Sequence, residues 1–297
     1  MPVKLENVTS RIFQGIKTSA DKIYIVEELE RQRKRVKVYS REKGCDYWLE
    51  PDLLHPLVKG GDSKRYYLAR TNRLLLFPYA ARDGTQSRLL PPNILKAEHP
   101  LTWAYLSDNK HYLESREDGR MRGAEWYAYI YPKALDVMPL PKIFTPDIAA
   151  QAAFSLDPVG NVFFTGGVAG GYGILVLPEH SREYILGLLN SKLLEWCIRQ
   201  TATQMRGGYY SYESRFIRHL PICIPEPAEK PHQDKIAALV ERMLELNEKK
   251  HSGRLALSEL NQVERETAAT DAKIDALVYD LYRITRKERS LIERELR

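Results

Sequence analysis

The stretch AFSLDPVGNVFFTGGVAGGYGILVLP (153–178), followed by HSREYILGLLNSKLLEWCIRQTA (180–202), decides the fold class of this 297-residue chain. Its β-branched and aromatic runs are bounded by Pro and Gly and read as strands, with the glycine cluster 166–173 as a hairpin or an irregular loop. Ser181 is suited to cap a helix, and Ile185, Leu188, Leu189, Leu193 and Trp196 then recur at the period of one amphipathic helix over 181–203. The combination predicts an α+β fold built on a mixed sheet.

Upstream, DKIYIVEEL (21–29), RQRKRVKVYS (31–40) and RLLLFPYA (73–80) have strand composition, the second opening on a run of charge. KGGDSKRYYLAR (59–70) couples a flexible turn to cations and tyrosines and reads as an exposed loop feeding a strand. Residues 91–125 carry Leu101, Tyr105, Tyr112 and Leu113 at helical intervals, predicting a helix that stops near Gly119. WYAYIYP (126–132) reads as an aromatic strand with Trp126 and Tyr127 on opposite faces, and IFTPDIA (143–149) as another strand. Downstream, RGGYYSYESRFIRHLPICIPEP (206–227) is a second glycine and tyrosine loop leading to a short strand and a proline-rich linker. IAALVERMLELNEKK (236–250) and LALSELNQVERETAATDAKIDALVYDLYRIT (255–285), broken at Ser252–Gly253, each draw one apolar stripe and predict an antiparallel helical hairpin. The expected organisation is a domain over 1–225 and the hairpin over 226–297.

Hydrophobic residues at 43% and charged residues at 28% fit a folded globular protein. No apolar run approaches the roughly 18 residues that cross a bilayer, and the start lacks a secretory stretch, so a cytoplasmic protein without membrane contact is expected. Cys45, Cys197 and Cys223 are far apart, the histidines are scattered, and no metal site is expected. The net charge of +6 is unevenly spread: residues 1–130 hold 23 Lys and Arg against 17 Asp and Glu, whereas 131–225 hold 8 against 7 and 226–297 hold 14 against 15. A basic excess confined to one part of a fold favours a polyanionic partner there.

The order of segments carries a resemblance. FQGIKTSADKIYIV (13–26), LVKGGDSKRYYL (57–68), WYAYIYP (126–132), PKIFTPDIA (141–149), the phenylalanine strand and glycine loop at 162–173, LLNSKLLEW (188–196), RGGYYSYESRFIRHLPICIP (206–225) and IDALVYDLYRIT (274–285) follow one another as in a known family. The chain resembles the TaqI-like C-terminal specificity, or target recognition, domain of type IIG and related adenine-specific DNA methyltransferases. The resemblance implies a module that reads duplex DNA while a separate catalytic domain holds a flipped adenine. It implies two partners, double-stranded DNA and an adenine methyltransferase catalytic domain in cis or in trans, with S-adenosylmethionine bound by that domain and no cofactor here. A complete enzyme of this kind would carry its catalytic domain before residue 1, so an excised piece, a split subunit or a stand-alone relative is expected.

The motifs of catalysis are missing from the sequence. Pro91-Pro92-Asn93 has the residues of the Asn-Pro-Pro-Tyr tetrapeptide in the wrong order, and GGVAGGYG lacks GxGxxG spacing. There is no GxxxxGK and no GxSxG, and no Glu-x-Lys follows Pro51-Asp52 or Pro146-Asp147 at nuclease spacing. The chain is therefore expected not to be an enzyme by itself. The alternative is a scaffold that docks a methyltransferase or nuclease partner through its C-terminal helices.

The resemblance and the residue types together nominate a DNA-binding set. Phosphate contacts are expected from Lys17 with Thr18, Lys59, Lys64, Arg65 and Arg206, and from the amides of Gly60, Gly61, Gly207 and Gly208, although plain turns account for these glycines slightly better. Arg116, Arg120 and Arg122 make an arginine-rich segment suited to base edges, or else a solvated helix end. Tyr209, Tyr210 and Tyr212 can pack on sugars or wedge into a distorted duplex, with core packing an equal account of at least one.

Overall fold

The structure is a computed structural model that describes residues 2–82, 85–226 and 230–296, so the Pro227 end of the expected linker lies outside the described residues. The first elements are β1 (Val3–Lys4), β2 (Thr9–Gln14), a single turn α1 (Asp21–Tyr24), β3 (Ile25–Arg31), β4 (Val36–Ser40), β5 (Cys45–Leu49) and β6 (Leu54–Val58). Two short strands, β7 (Ser63–Lys64) and β8 (Tyr67–Leu68), precede β9 (Arg73–Leu76), β10 (Tyr79–Arg82) and β11 (Thr85–Leu89). Three helices follow, α2 (Pro92–Glu98), α3 (Pro100–Asp108) and α4 (Lys110–Gly119). Then come β12 (Lys142–Pro146), β13 (Ile148–Ala149), β14 (Ser155–Asp157), β15 (Phe163–Phe164) and β16 (Gly171–Val176). After α5 (Arg182–Asn190) and α6 (Lys192–Thr201) lie β17 (Gln204–Met205), β18 (Tyr209–Ser211), α7 (Ser214–Ile217) and β19 (Pro221–Ile222). The last elements are α8 (Lys230–Lys250), α9 (Leu257–Leu281) and α10 (Arg286–Glu295).

The architecture is α+β, as expected. A six-stranded mixed sheet has the order β15-β6-β9-β3-β4-β5, in which only β15 and β6 run parallel. An antiparallel sheet has the order β14-β12-β16-β2, and a smaller one β13-β18-β17. In β4 the period of two is plain, with Val36, Val38 and Ser40 turned inward and Lys37 and Tyr39 outward.

Buried apolar side chains gather in two clusters. The first joins the six-stranded sheet to α2–α4 and the stretch 126–138, with Val26, Val38, Leu75, Tyr105, Tyr127 and Met138 among its members. The second joins one side of β12 and β16 to α5, α6, α8 and α9. Its Ile236, Val240, Ile274 and Val278 are fully buried, a gain of about 2 kcal/mol for each side chain removed from water. Gly187 lets α5 and α8 approach closely, since a Cβ there would lie 2.9 Å from methyls of Ile236 and Val240. The C-terminal helices thus share a core with residues on the other side of position 225.

Four segments differ from the sequence expectation. The helix over 91–125 is three short helices, because Pro92 and Pro100 each open a new one, and Glu117 and Asp118 are left-handed at φ 45° and 57°. The helix over 181–203 is interrupted at Ser191, whose hydroxyl accepts from Leu194 N and starts α6 as Ser181 starts α5. There Asn190 turns inward, its amide bonding both the N–H and the C=O of Phe154 at 3.0 and 2.9 Å. The expected hairpin is present as α8 and α9, but α9 stops at Leu281. Thr285 and Glu288 then form a capping box that begins a third helix, α10.

The fourth difference is WYAYIYP. Residues 126–130 are buried on both sides rather than on one face, and among the described residues they join no ladder, the nearest pairing being an isolated bridge between Lys17 and the next residue, Tyr131. Side chains replace the missing strand partner. The Tyr24 hydroxyl donates to Tyr127 O, Arg116 donates to Trp126 O and Ala128 O, and Tyr129 N donates to the Tyr79 hydroxyl. A buried backbone must find partners, and here they come from three surrounding elements.

His55 on β6 joins that strand to β15, its ring stacked on Phe163 with centroids 4.1 Å apart. Burial, assisted by the nearby Lys142 charge, lowers its pKa from 6.5 to about 4. The unfolded chain takes up a proton near pH 6.5 that the fold refuses until about pH 4, so stability present at neutral pH is lost as pH falls through that window, by about 3 kcal/mol in full. His55→Phe preserves the stack and removes the titration. Urea denaturation between pH 7 and 4 should show a shallower loss of stability for the variant, and parallel curves would rule this origin out.

Candidate functional site

The six residues between β15 and β16 (165–170) form a loop to which distant segments are fastened by main-chain hydrogen bonds. Ile16 N donates to Phe164 O at 3.0 Å, and Gly166 N donates back to Ile16 O at 3.0 Å. Gly60 N donates to Ala169 O at 2.9 Å, and Asp147 N to Gly170 O at 3.1 Å. Asp147 O in turn accepts from Tyr212 N at 2.8 Å, and β13 pairs with β18, which carries Tyr209 and Tyr210. Segments 15–18, 59–61 and 206–212 are thereby assembled around one loop. Gly170 is the position where side chains are excluded, because a Cβ there would sit 1.7 Å from Thr165 O.

Beside this loop opens a cleft of about 1320 Å³ between β2, β11 and the stretch 120–136. Lys17 and Arg120 both line it, joined by Arg11, Arg88 and Lys133, with Tyr79 and Tyr129 also in the wall. Arg11 is paired with Asp136 at 2.8 Å. The Glu117 carboxyl accepts from the Tyr131 hydroxyl and from Arg120, and these contacts hold it below the usual carboxylate range. Arg11, Arg88 and Lys133 come from separate elements and share no local motif, so no pattern in the sequence joins them.

The nominated residues fall into two groups. Lys17, Gly61, Lys64, Arg120, Arg122, Arg206, Gly207, Gly208 and Tyr209 are exposed, and Lys59, Gly60 and Tyr210 are half-buried. Among the described residues, Lys17, Lys59, Lys64, Arg122 and Arg206 have no carboxylate partner. Arg206, Gly207 and Gly208 are the tip of the β17–β18 hairpin, where φ values of 79° and 77° account for the two glycines as turn residues. Tyr209 beside them is 46% exposed. Tyr210 lies under the Arg199 guanidinium at 5.3 Å. Gly60 packs on the loop, a Cβ there lying 2.9 Å from Gly170 O.

Four nominated side chains are turned inward, into the protein rather than toward solvent. Thr18 is fully buried, its hydroxyl donating to Asp21 at 2.5 Å and accepting from Ala20 N. Arg65 reaches inward to Asp271 at 2.6 Å and Glu195 at 3.8 Å, fixing its loop to α9 and α6. Arg116 is 7% exposed and gives its guanidinium to the carbonyls of Leu113, Thr18, Trp126 and Ala128. Tyr212 is 1% exposed and packs edge-on against Phe154. A guanidinium, though more weakly hydrated than an ammonium, is buried only where fixed acceptors replace water, and both arginines meet that condition.

A glycine loop that receives a dinucleotide leads from a strand into a helix, so that helix-start amides face the phosphate. The 165–170 loop instead leads from β15 into β16, and neighbouring backbone fills the space beside Gly170. Among the described residues no cluster of His, Cys, Asp and Glu is placed to hold a metal ion, and no helix is long and apolar enough to cross a membrane.

The family model for the TaqI-like C-terminal specificity domain matches residues 55–222, and the chain belongs to that family. It is similar to the type II restriction enzyme and methyltransferase RM.Eco57I of Escherichia coli, 25% identical over 245 residues that cover 77% of this chain and 24% of that protein. It is also similar to the type II methyltransferase M.BstVI of Geobacillus stearothermophilus, 21% identical over 240 residues covering 79% of this chain and 36% of the relative. The type II methyltransferase M.PaeR7I of Pseudomonas aeruginosa is 22% identical over 242 residues, 76% of this chain and 35% of the relative. The chain therefore spans a quarter to just over a third of the length of these relatives. The matched stretch contains the 165–170 loop, the Lys59 turn and the Arg206 hairpin.

Arg116→Lys keeps the charge and loses the fork that bridges Trp126 O and Ala128 O. Lost charge-assisted bonds contribute about 1.5–3 kcal/mol each when buried, so the variant should lose at least 2 kcal/mol of unfolding free energy by chemical denaturation. A change within experimental scatter would mean that these bonds do not hold the 126–130 segment.

Proposed function

We propose that this chain is the sequence-reading, non-catalytic part of a restriction-modification adenine methyltransferase, binding duplex DNA on the face built around the 165–170 loop. The observation that carries the reading is the convergence of Lys17, Lys59 and the Arg206 hairpin on that loop, with cations that no protein carboxylate neutralises among the described residues. Such cations suit phosphates, which they meet by releasing condensed counterions. Arg120 in the cleft wall and the nearby Arg122 are the side chains suited to guanine edges. Tyr209 offers an exposed ring to a sugar or a base step at the hairpin tip.

Chemistry belongs, on this reading, to an adenine methyltransferase catalytic domain in the same polypeptide or in a separate subunit. That domain would hold S-adenosylmethionine and the flipped adenine, because the glycine loop here runs between two strands and its space is filled. A cytoplasmic location accompanies this role. The scaffold alternative has less support, since the inner stripe of α8 and α9 is already packed against α5 and α6. What Arg65 does instead is tie the Lys59–Lys64 loop to those helices, so the hairpin positions the binding face.

The test is charge reversal at Lys59, Lys64 and Arg206 together, all exposed or half-buried and without carboxylate partners among the described residues. Each lost phosphate contact should flatten the slope of log affinity against log salt by about 0.9. Duplex binding followed by anisotropy should weaken at least tenfold with a shallower slope, and methylation by the reconstituted enzyme should fall in parallel. Unchanged methylation rate and site after the triple reversal would refute the assignment.

A further inference from the structure

The most basic segment of the molecule lies outside the face described so far. RQRKR (31–35) closes the β3–β4 hairpin, with Arg31 paired across to Val36 and Gln32 N donating to Arg35 O at 2.9 Å. Arg33 and Lys34 therefore occupy the two corners of the turn, and all five residues are exposed. Turn corners favour Gly, Asn, Asp, Pro or Ser for backbone reasons, so an Arg-Lys pair there contributes nothing to the turn itself. Two neighbours are engaged: Arg31 with Glu28 at 2.5 Å, and Arg35 with the Trp48 ring at 4.3 Å and Gln32 at 2.8 Å. Arg33 and Lys34 have no carboxylate partner among the described residues.

Sheet topology decides where this tip points. β15 runs parallel to β6, so Thr165 and Lys59 leave the six-stranded sheet at the same end. β9 is antiparallel to β6 and β3 is antiparallel to β9, so Arg31 leaves at that end too. The edge is stitched together, with Thr71 Oγ1 donating to Leu57 O at 2.7 Å and Glu28 N to Asn72 O at 2.7 Å. β3 lies two strands from β6, a lateral step of about 10 Å, and four residues beyond its last pairing with β9 at Glu27 carry the tip about 13 Å forward. That lateral step equals roughly three base pairs at 3.4 Å of rise. Protection of a sheet edge does not explain the charge, because β3 and β4 are interior strands and β5 is the edge.

We propose that Arg33 and Lys34 form a second phosphate-gripping element, which holds the duplex DNA backbone outside the stretch met by the 165–170 face. The proposal rests on the DNA-binding reading above. Arg31 and Arg35, already held by Glu28 and Trp48, stiffen the tip, while the two corner cations stay available.

The full chain and its R33Q/K34Q variant are compared by fluorescence anisotropy on a 30-bp mixed-sequence duplex across a salt series. Both residues sit at an exposed corner, so equal unfolding midpoints are expected. Two lost contacts should make the log–log salt slope shallower by about 1.8 and weaken binding about tenfold at low salt. A photo-crosslinking residue at position 34 should capture the duplex. Wild-type binding with an unchanged slope in R33Q/K34Q and no capture at position 34 overturns the second grip and leaves the central face intact. Failure of the wild-type chain to bind any duplex overturns both.

Discussion

The constraint on which most of this structure depends is the close approach of main chain to main chain at the 165–170 loop. Carbonyls and amides of the loop meet Ile16, Gly60 and Asp147 directly, and at Gly15, Gly60, Gly166 and Gly170 the approach is so close that a Cβ would collide with backbone. Each hydrogen bond is worth about 1 kcal/mol net, but a buried amide deprived of its partner costs more. Gly166, Gly170 and Gly171 are therefore requirements of assembly first, and the surface they create is a by-product of backbone meeting backbone. The cationic segments gain their mutual positions from that junction.

Buried charge performs the same service elsewhere. Arg116 binds four carbonyls and takes the place of a strand partner for residues 126–130. Arg65 reaches from the Lys59–Lys64 loop to Glu195 on α6 and Asp271 on α9, fastening that loop to the helices of the second cluster. Lys142, held by Asp157 and two carbonyls, anchors the start of β12. In all three a cation that looks available in the sequence is consumed by the protein's own acceptors, at least one of them well removed along the chain.

That explains how far the sequence could be read. Strand and helix types, the Ser181 cap, the paired C-terminal helices and the family were legible, since they rest on local periodicity, capping chemistry and the order of motifs. The breaks at Ser191, Pro100 and Thr285 were present as capping and proline signals, but the stronger apolar period ran over them. WYAYIYP misled because alternation of aromatic residues mimics a half-buried strand, and only tertiary partners reveal that both faces are covered. Within the nominated set, Lys17, Lys64 and Arg206 lie at the surface, while Thr18, Arg65, Arg116 and Tyr212 do not. Nothing local distinguishes Arg116 from Arg120, since the acceptors that bury Arg116 include Thr18 and Ala128, placed beside it only by the fold.

The wall of the cleft formed by residues 126–136 has an unusual freedom as a result. In a strand, inserting or deleting one residue turns every later side chain to the opposite face and breaks the register of the ladder. Here the segment is suspended from side chains of Tyr24, Tyr79 and Arg116 instead, so a change of length at the exposed Pro132 and Lys133, ahead of the buried Ala134, alters the contour of the groove without shifting the register of a strand. Such an edit would reshape the groove while the sheets beneath it keep their pairing.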